Sequence, residues 1–344
     1  MNLQEHDSDR AAMPLNLSED FSDYFAVRER VGICDLSHDG KYLLTGEDRT
    51  NFLQNVTSND VRLAHGNKGI ETLLLTAKGK IISDFYLYPL ADAYLLTMDF
   101  VIAEKTARHF MQVRLRSKIN IVAPQWGKIL VAGPNAFPLL QKLYKDNLPN
   151  MEALSIFSQE KEPILCVRQP QTGEEDYHLY CRKESLQDIF TALLTLGEPF
   201  GVAKVGQSTL ETLRIEAGIP RYGVDLSEEI IPIEAGLADP AISYTKGCYP
   251  GQEVVARIRT YGHVNKHRMG LLFDENVVLS GGEKVFLGDT EVGWITAGRF
   301  PPFLNKMIAT AYLRTVAAIA GTRVALANQK VFATVADLPF YRRG

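Results

Sequence analysis

The feature that most constrains the fold is a change of texture near Asn265. From His267 onward the chain breaks into short apolar runs at Met269–Phe273, Lys284–Leu287, Glu291–Ala297, Lys306–Tyr312, Arg323–Leu326 and Val331–Val335. They are separated by the turn signals Gly281-Gly282, Gly288-Asp289, Pro301-Pro302 and Asn328-Gln329. Short strands with regular punctuation are the pattern of a small all-β domain. Ahead of that point strand-like and helix-like stretches interleave without the regular period of a parallel βαβ sheet, which predicts an α+β body. A chain of 344 residues exceeds one ordinary core. We therefore expect a flexible N-terminus over 1–20, a body over 21–264 and a β domain over 265–344.

Within the body, Gly46-Glu47-Asp48 opens a short helix through Phe52, Leu53 and Val56, with two acids suited to a helix N-terminus. Strands over Ile70–Thr76 and Ile81–Pro89 are joined by Ala77-Lys78-Gly79-Lys80, a hairpin connection with glycine where a positive φ is needed. The second strand puts Ile82, Asp84, Tyr86 and Tyr88 on one face and Ser83, Phe85 and Leu87 on the other. An unpaired carboxylate among such neighbours is costly. Asp84 is then either an edge-strand acid bonded to a nearby backbone N–H or a pocket acid awaiting a polar ligand that stacks on tyrosine.

Helices are expected from Asp99 to Arg116, from Pro134, over Ser185–Leu196 and over Ser208–Ala217, with further strands at Ile119–Ala123, Ile129–Ala132, Leu154–Phe157, Pro163–Arg168 and Tyr177–Cys181. Cys34, Cys166, Cys181 and Cys248 lie far apart with no CxxC pair, so neither a disulfide framework nor a metal site is indicated. A hairpin turning near Gly173 would bring Cys166 and Cys181 opposite one another as buried thiols.

Chemistry concentrates in Lys246-Gly247-Cys248-Tyr249-Pro250-Gly251-Gln252-Glu253, a mixture poorly suited to core, helix or strand. Lys246 and a helix starting at Gln252 would both favour a thiolate at Cys248. Gly247 and Gly251 would allow close approach to a ligand, with Gln252 and Glu253 holding the loop's shape. The plainer alternative is that Cys248 is a small buried hydrophobe. A formal charge of −4 offers no field for extensive nucleic-acid contact. The absence of a long apolar run and the acidic start, with Glu5, Asp7 and Asp9, predict a cytoplasmic protein with no membrane span.

KGCYPGQE, followed by Val254-Val255-Ala256-Arg257 and Gly262-His263-Val264-Asn265-Lys266, resembles the signature of the YgfZ family of folate-binding proteins. That family is related to the glycine cleavage T-protein, an aminomethyltransferase. The likeness extends through Asp35-Leu36-Ser37-His38, Leu44–Asp48, Phe52–Asn55 and Leu213–Pro220. It implies two intertwined α/β subdomains and a small C-terminal β-barrel arranged as a ring. Asp84 matches the second acid of the T-protein's G-G-x-x-D-D stretch, which implies a folate-contacting and catalytic position. Tetrahydrofolate or a one-carbon-substituted folate is the implied cofactor, and iron–sulfur assembly machinery or client enzymes are the implied partners.

The resemblance also carries departures. Thr172-Gly173-Glu174-Glu175-Asp176-Tyr177-His178 matches the T-protein's T-G-E-D-G-V-E, so that its folate-contacting glutamate falls on His178, and a folate-contacting arginine falls on Leu210. Loss of both removes charge-assisted hydrogen bonds. Tyr222 and Glu234 match L-Y-G-x-D and P-x-E-G elements and are expected as rim or packing residues of the site. The expected function is a tetrahydrofolate-binding accessory protein for iron–sulfur protein maturation or repair, with Asp84 and Cys248 as its chemical residues. Asp84, Tyr86, Tyr88, His178, Tyr222, Glu234, Lys246, Gly247, Tyr249, Gly251, Gln252 and Glu253 are its expected ligand-binding residues. The alternatives are a folate-dependent aminomethyl transferase, a cysteine hydrolase using His263 or His267 as base, and a non-catalytic scaffold.

Overall fold

A computed structural model describes residues 21–159, 162–262, 264–326 and 330–343. The expected flexible segment 1–20 and His263 lie outside the described residues. The chain begins with α1 (Ser22–Glu29), β1 (Val31–Asp35), β2 (Gly40–Thr45), α2 (Arg49–Val56), β3 (Ile70–Leu75), β4 (Ile81–Pro89), β5 (Ala93–Met98), α3 (Phe100–Val113) and β6 (Asn120–Val122). It continues with β7 (Trp126–Ala132), α4 (Ala136–Leu143), β8 (Ile156–Gln159), β9 (Glu162–Arg168), β10 (Asp176–Arg182), α5 (Leu186–Gly197), β11 (Val202–Lys204) and α6 (Gln207–Glu216). The short helices α7 (Pro232–Ala235) and α8 (Ala238–Ala241) then precede α9 (Gln252–Tyr261).

These elements build two sheets that share the chain unevenly. The first has the order β11-β1-β7-β10-β9-β8 and the second β3-β4-β5-β2-β6. The chain lays down β1 in the first sheet, leaves for all five strands of the second, then returns for β7 to β11. That crossing is the physical content of two intertwined subdomains. Pairing is antiparallel throughout these sheets except between β1 and β11.

Each sheet has one face covered by helices. Phe85 on β4 meets Phe110 of α3 edge-on at 5.9 Å, and Phe110 meets Phe52 of α2 at 5.7 Å. On the first sheet Val31, Ile33, Ile129, Val131, Leu179 and Cys181 pack with Leu139 and Leu140 of α4 and Leu193 of α5. The opposite faces meet each other. Tyr88, Leu95, Ile156, Val167 and Tyr180 form a small apolar cluster between the sheets, and hydrogen bonds from Tyr88 Oη to Gln169 Oε1 (3.1 Å) and Tyr180 Oη to Thr97 Oγ1 (2.9 Å) stitch it. Alternation therefore sends every second residue of β4 and β10 into the seam between two sheets.

The last part is a closed barrel of β12 (Lys266–Phe273), β13 (Lys284–Leu287), β14 (Thr290–Arg299), β15 (Ile308–Arg314), β16 (Arg323–Leu326) and β17 (Phe332–Ala336), ordered β12-β15-β14-β13-β16-β17. Closure removes the unpaired edges that six short strands would otherwise expose. Leu271, Val285, Ile295, Leu313, Val324 and Val335 fill it. Asp225 joins barrel to body: its carboxylate accepts from Arg214 Nη1 (2.7 Å), Thr296 Oγ1 (2.6 Å) and Thr310 Oγ1 (3.0 Å), and its carbonyl accepts from Tyr312 Oη (2.9 Å). Although burial opposes ionisation, Arg268 and Arg214 hold this carboxyl down at about 2.

The cysteine expectation is corrected by register. Cys166 pairs with Leu179 and Cys181 with Gly127, so the two thiols are offset along the β9–β10 hairpin rather than opposed. The hairpin pairs Tyr177 with Arg168, which places Cys181 beyond the partner of Cys166. Both are nonetheless buried, free and on the same helix-covered face.

Candidate folate site between the sheets

Asp84 sits on the inward face of β4 with Leu73 of β3 directly across from it, while Glu71 lies across from Tyr86. Thr97 of β5 pairs with Tyr86 on the other side, so Glu71, Asp84, Tyr86 and Thr97 share one face. Opposite them, β10 presents Asp176, His178 and Tyr180, and β7 presents Lys128 across from Tyr180. This is a polar floor and ceiling inside an otherwise apolar seam.

Asp84, Glu71 and Tyr86 each keep some accessible surface yet lie deep in the protein. They line a hollow rather than a packed core. Burial raises the Asp84 carboxyl to about 7, opposed by its own backbone N–H and reinforced by Asp99. The Glu71 carboxyl is raised to about 7 by burial and then by Asp84. Tyr86 is pushed up by burial and by the carboxyls of Glu71, Asp84 and Asp176. Two buried polar atoms here have no hydrogen-bond partner: Asp84 Oδ1 and His178 Nδ1. Orphans of this kind are rare in folded proteins and mark where a ligand or ordered water belongs. The edge-strand alternative for Asp84 accounts for its own N–H contact but leaves Oδ1 unexplained.

The surrounding charges are already committed. Asp176 accepts from Gln171 N, Thr172 N (both 2.8 Å) and Thr172 Oγ1 (2.5 Å), which shapes the turn before β10. Lys128 Nζ pairs with Asp39 Oδ2 at 2.7 Å, and Lys41 Nζ donates to the Ser37 and Asp39 carbonyls at 2.8 and 2.9 Å. His178 is buried, and both burial and Lys128 hold its ring neutral.

Of the expected site residues, the structure brings Asp84, Tyr86 and His178 to this seam. Tyr88 does not line the hollow: it is fully buried in the apolar cluster and its hydroxyl is satisfied by Gln169. Tyr222 lies elsewhere, its hydroxyl accepting from Lys105 Nζ at 3.2 Å beside a Lys105–Glu228 ion pair. Glu234 caps α7 by accepting from Ile231 N at 3.1 Å and faces Lys266 at 3.7 Å. Leu210 packs with Tyr24, Val27 and Leu213, so its position belongs to a core and not to the seam.

The KGCYPGQE loop rests on the tip of the β3–β4 hairpin. Gly251, at φ +81°, is so close that a Cβ would lie 2.6 Å from the Thr76 carbonyl oxygen; Gly79 in that tip has φ +72°. A side chain at either position is strained by conformation, and at 251 opposed by contact as well. The close approach thus serves the hairpin. Gln252 Nε2 reaches back to the Lys246 carbonyl at 3.5 Å, and Glu253 is exposed.

Lys246 corrects the expectation of a cation acting on the sulfur. Its ammonium points inward, donates to the Thr57 and Asn59 carbonyls at 2.6 and 2.8 Å and lies 5.2 Å from the Tyr249 ring centre. Burial lowers it to about 8. Asn59 in turn donates from Nδ2 to the Glu71 carbonyl at 2.8 Å, so Lys246 ties the loop to the strand that carries Glu71. Lys246 and Tyr249 face in, while Gly247 and Cys248 face out. Cys248 is the exposed thiol; Cys34, Cys166 and Cys181 are buried, and burial pushes the thiols of Cys34 and Cys181 up to about 11. Iodoacetamide on the folded protein should therefore label Cys248 at least about 100-fold faster than the other three, because they are shielded and burial suppresses their thiolates. Peptide mass spectrometry over time reads this, and equal rates at Cys34 would refute the burial pattern.

Glu71 was not found by periodicity, because β3 reads as a plain apolar run. Its signal was the hairpin register: an acid on β3 opposite a tyrosine of β4 must share Asp84's face. Among the described residues no helix is long and apolar enough to cross a membrane, and no group of three His, Cys, Asp or Glu side chains is placed to hold a metal ion.

Both the body and the barrel match known protein domains. Residues 20–245 match the GCVT N-terminal domain, and residues 266–342 match the glycine cleavage T-protein C-terminal barrel domain. An aminomethyltransferase of Geobacillus sp. is 30% identical over 342 residues, spanning 96% of this chain and 93% of the relative. One from Staphylococcus carnosus is 31% identical over 315 residues, covering 88% and 84%. The crystal structure of glycine cleavage system aminomethyltransferase T from Bartonella henselae matches with a TM-score of 0.85 at 22% identity, covering 93% of this chain and 89% of that one, a likeness of fold. With both of its domains matched in order, the chain belongs to the glycine cleavage T-protein family.

Proposed function

We propose that this protein binds a reduced folate in the seam between its two sheets and serves folate-dependent one-carbon transfer of the aminomethyltransferase type. The observation that carries the reading is the pair of buried, partnerless acceptors, Asp84 Oδ1 and His178 Nδ1. A ligand rich in N–H donors fits them, and reduced folate is such a ligand. When bound, the folate supplies the nitrogens that accept a one-carbon unit. Asp84, with its carboxyl raised to about 7, holds and releases a proton near neutral pH and is the acid–base group beside them. Tyr86 forms the wall next to it, and the apolar cluster around Tyr88 and Tyr180 excludes water on one side. The family's named members support the transferase reading over an accessory role.

The decisive assay is formation of methylenetetrahydrofolate from an aminomethyl-loaded carrier protein, with tetrahydrofolate present. Turnover that Asp84→Asn lowers by about 100-fold or more is expected, the usual weight of a positioned acid–base group. Turnover indifferent to Asp84 would refute its role. A second reading, the YgfZ-type accessory to iron–sulfur protein maturation, is favoured by one observation: Cys248 is displayed outward on a loop whose Gly251 seats against the β3–β4 hairpin. Under that reading Cys248→Ser fails to restore an iron–sulfur enzyme in a deletion strain while Cys34→Ser restores it. Full complementation by Cys248→Ser removes the thiol from function.

A further inference from the structure

We propose that Glu71 supplies the carboxylate of the folate site and, with Asp84 and His178, forms an acceptor-rich clamp for a guanidine-like donor edge, the N–H and NH2 groups of a reduced pterin. The inference rests on the folate reading of the seam and deepens it by assigning what selects the ligand.

Three observations carry it. Glu71 is on the inward face of β3, opposite Tyr86 and diagonal to Asp84, and its carboxyl makes no hydrogen bond or ion pair among the described residues. Its backbone, in contrast, is fixed: the Glu71 carbonyl accepts from Asn59, whose own carbonyl accepts from Lys246. A free carboxyl on a fixed strand is a preorganised acceptor. Next, His178 Nε2 lies 3.2 Å from the Gln169 carbonyl, which can only accept, so Nε2 carries the proton. Since the ring is neutral, Nδ1 is a bare lone pair, buried and unanswered. Finally, Lys41 and Lys128, the cations nearest this face, are spent on the Ser37 and Asp39 carbonyls and on the Asp39 carboxylate.

The result is a hollow walled by the carboxyls of Glu71 and Asp84 and the Tyr86 hydroxyl, with the buried imidazole lone pair of His178 on the facing strand β10. Such a set recognises adjacent N–H groups, and a carboxylate does so through paired, charge-assisted hydrogen bonds. A neutral imidazole offers one lone pair and cannot make that fork. Glu71 can.

The test is calorimetry of the full-length protein with tetrahydrofolate and with its 2-desamino-2-methyl analogue, which lacks the exocyclic NH2. Wild type should prefer tetrahydrofolate by about 100-fold, since a buried acceptor left unmet rejects the analogue. Glu71→Gln should weaken tetrahydrofolate by about 30- to 100-fold, bind the analogue within about threefold of wild type and so lose the preference. Glu71→Asp keeps the charge but retracts it and should fall between the two. Thermal melting of each variant, at or above the wild-type temperature, confirms that it is folded. If Glu71→Gln or Glu71→Asp retains the wild-type preference, Glu71 is not the clamp, although the folate reading stands. Failure of the wild type to bind any reduced folate overturns both.

Discussion

Asp84→Asn is expected to weaken tetrahydrofolate binding by about 10- to 100-fold while making the protein more stable at pH 8. The first effect follows from removing a charged acceptor whose Oδ1 has no other partner. The second follows from linkage. The Asp84 and Glu71 carboxyls stand at about 7 in the fold, above the ordinary range near 4. Between those values the folded state binds more protons than the unfolded chain, so stability falls as pH rises through the window. The stabilisation is fully present below about pH 4 and gone above about pH 7. The groups facing Asp84 are Glu71, Tyr86, Asp99 and, across the seam, Asp176 and the neutral His178; the ordered lysines are paired elsewhere. Asp84→Asn should recover on the order of 1–3 kcal/mol at pH 8 and nothing at pH 4. Denaturant melts at the two pH values read this directly. A variant destabilised equally at both would mean that Asp84 is a structural acid.

Arg28 should be the most costly single charge to remove. Its guanidinium donates to Glu174 Oε1 at 2.9 Å and Glu216 Oε2 at 2.7 Å, and the Tyr341 ring centre lies 3.7 Å away. Tyr24 Oη donates to Glu216 at 2.9 Å, and Glu216 is fully buried. One side chain thus joins α1, the β9–β10 turn, α6 and the C-terminal tail. Arg28→Met leaves the buried Glu216 without its cation and Glu174 with only the more exposed Arg343 at 3.3 Å, and should cost about 3–5 kcal/mol, roughly 10 °C in Tm. Adding Glu216→Gln should restore part of the loss, because the uncompensated charge is what hurts. Scanning calorimetry on both variants tests this; a shift of less than about 2 °C for Arg28→Met would show that the network contributes nothing net.

Much of this molecule was legible in local pattern. The barrel strands at Lys284–Leu287 and Arg323–Leu326, the β3–β4 hairpin and the helix opening at Gln252 all follow from turn residues and alternation. Asp84 was legible for the same reason, because period two fixes its face whatever lies opposite. What lies opposite was not. The meeting of β4 with β10 depends on a chain that leaves one sheet, builds another and returns, and no local signal encodes that contact. Hence His178 could be named without its role, Tyr88 was placed in the hollow when Gln169 in fact closes it off, and Glu71 stayed hidden in an apolar run. Lys246 misled for a simpler reason: two residues from Cys248 in sequence, it bonds to carbonyls nearly two hundred positions away. In an irregular loop, residues two apart need not face the same way: Lys246 turns in and Cys248 turns out.

The excursion of the chain between β1 and β7 sets the order in which this protein can be made. β1 lies between β11 and β7, so it is synthesised well before β7 yet finds its last partner only when Lys204 has emerged. At ribosomal speeds of about 5–20 residues per second, β1 waits on the order of ten to thirty seconds with an edge unpaired. The second sheet, contiguous from β2 to β6, has all its strands long before then and is free to condense first. Nascent chains halted before β11 should accordingly be protease-sensitive in their first strand and resistant across the β3–β5 meander, and their exposed edge is where a ribosome-associated chaperone would be needed.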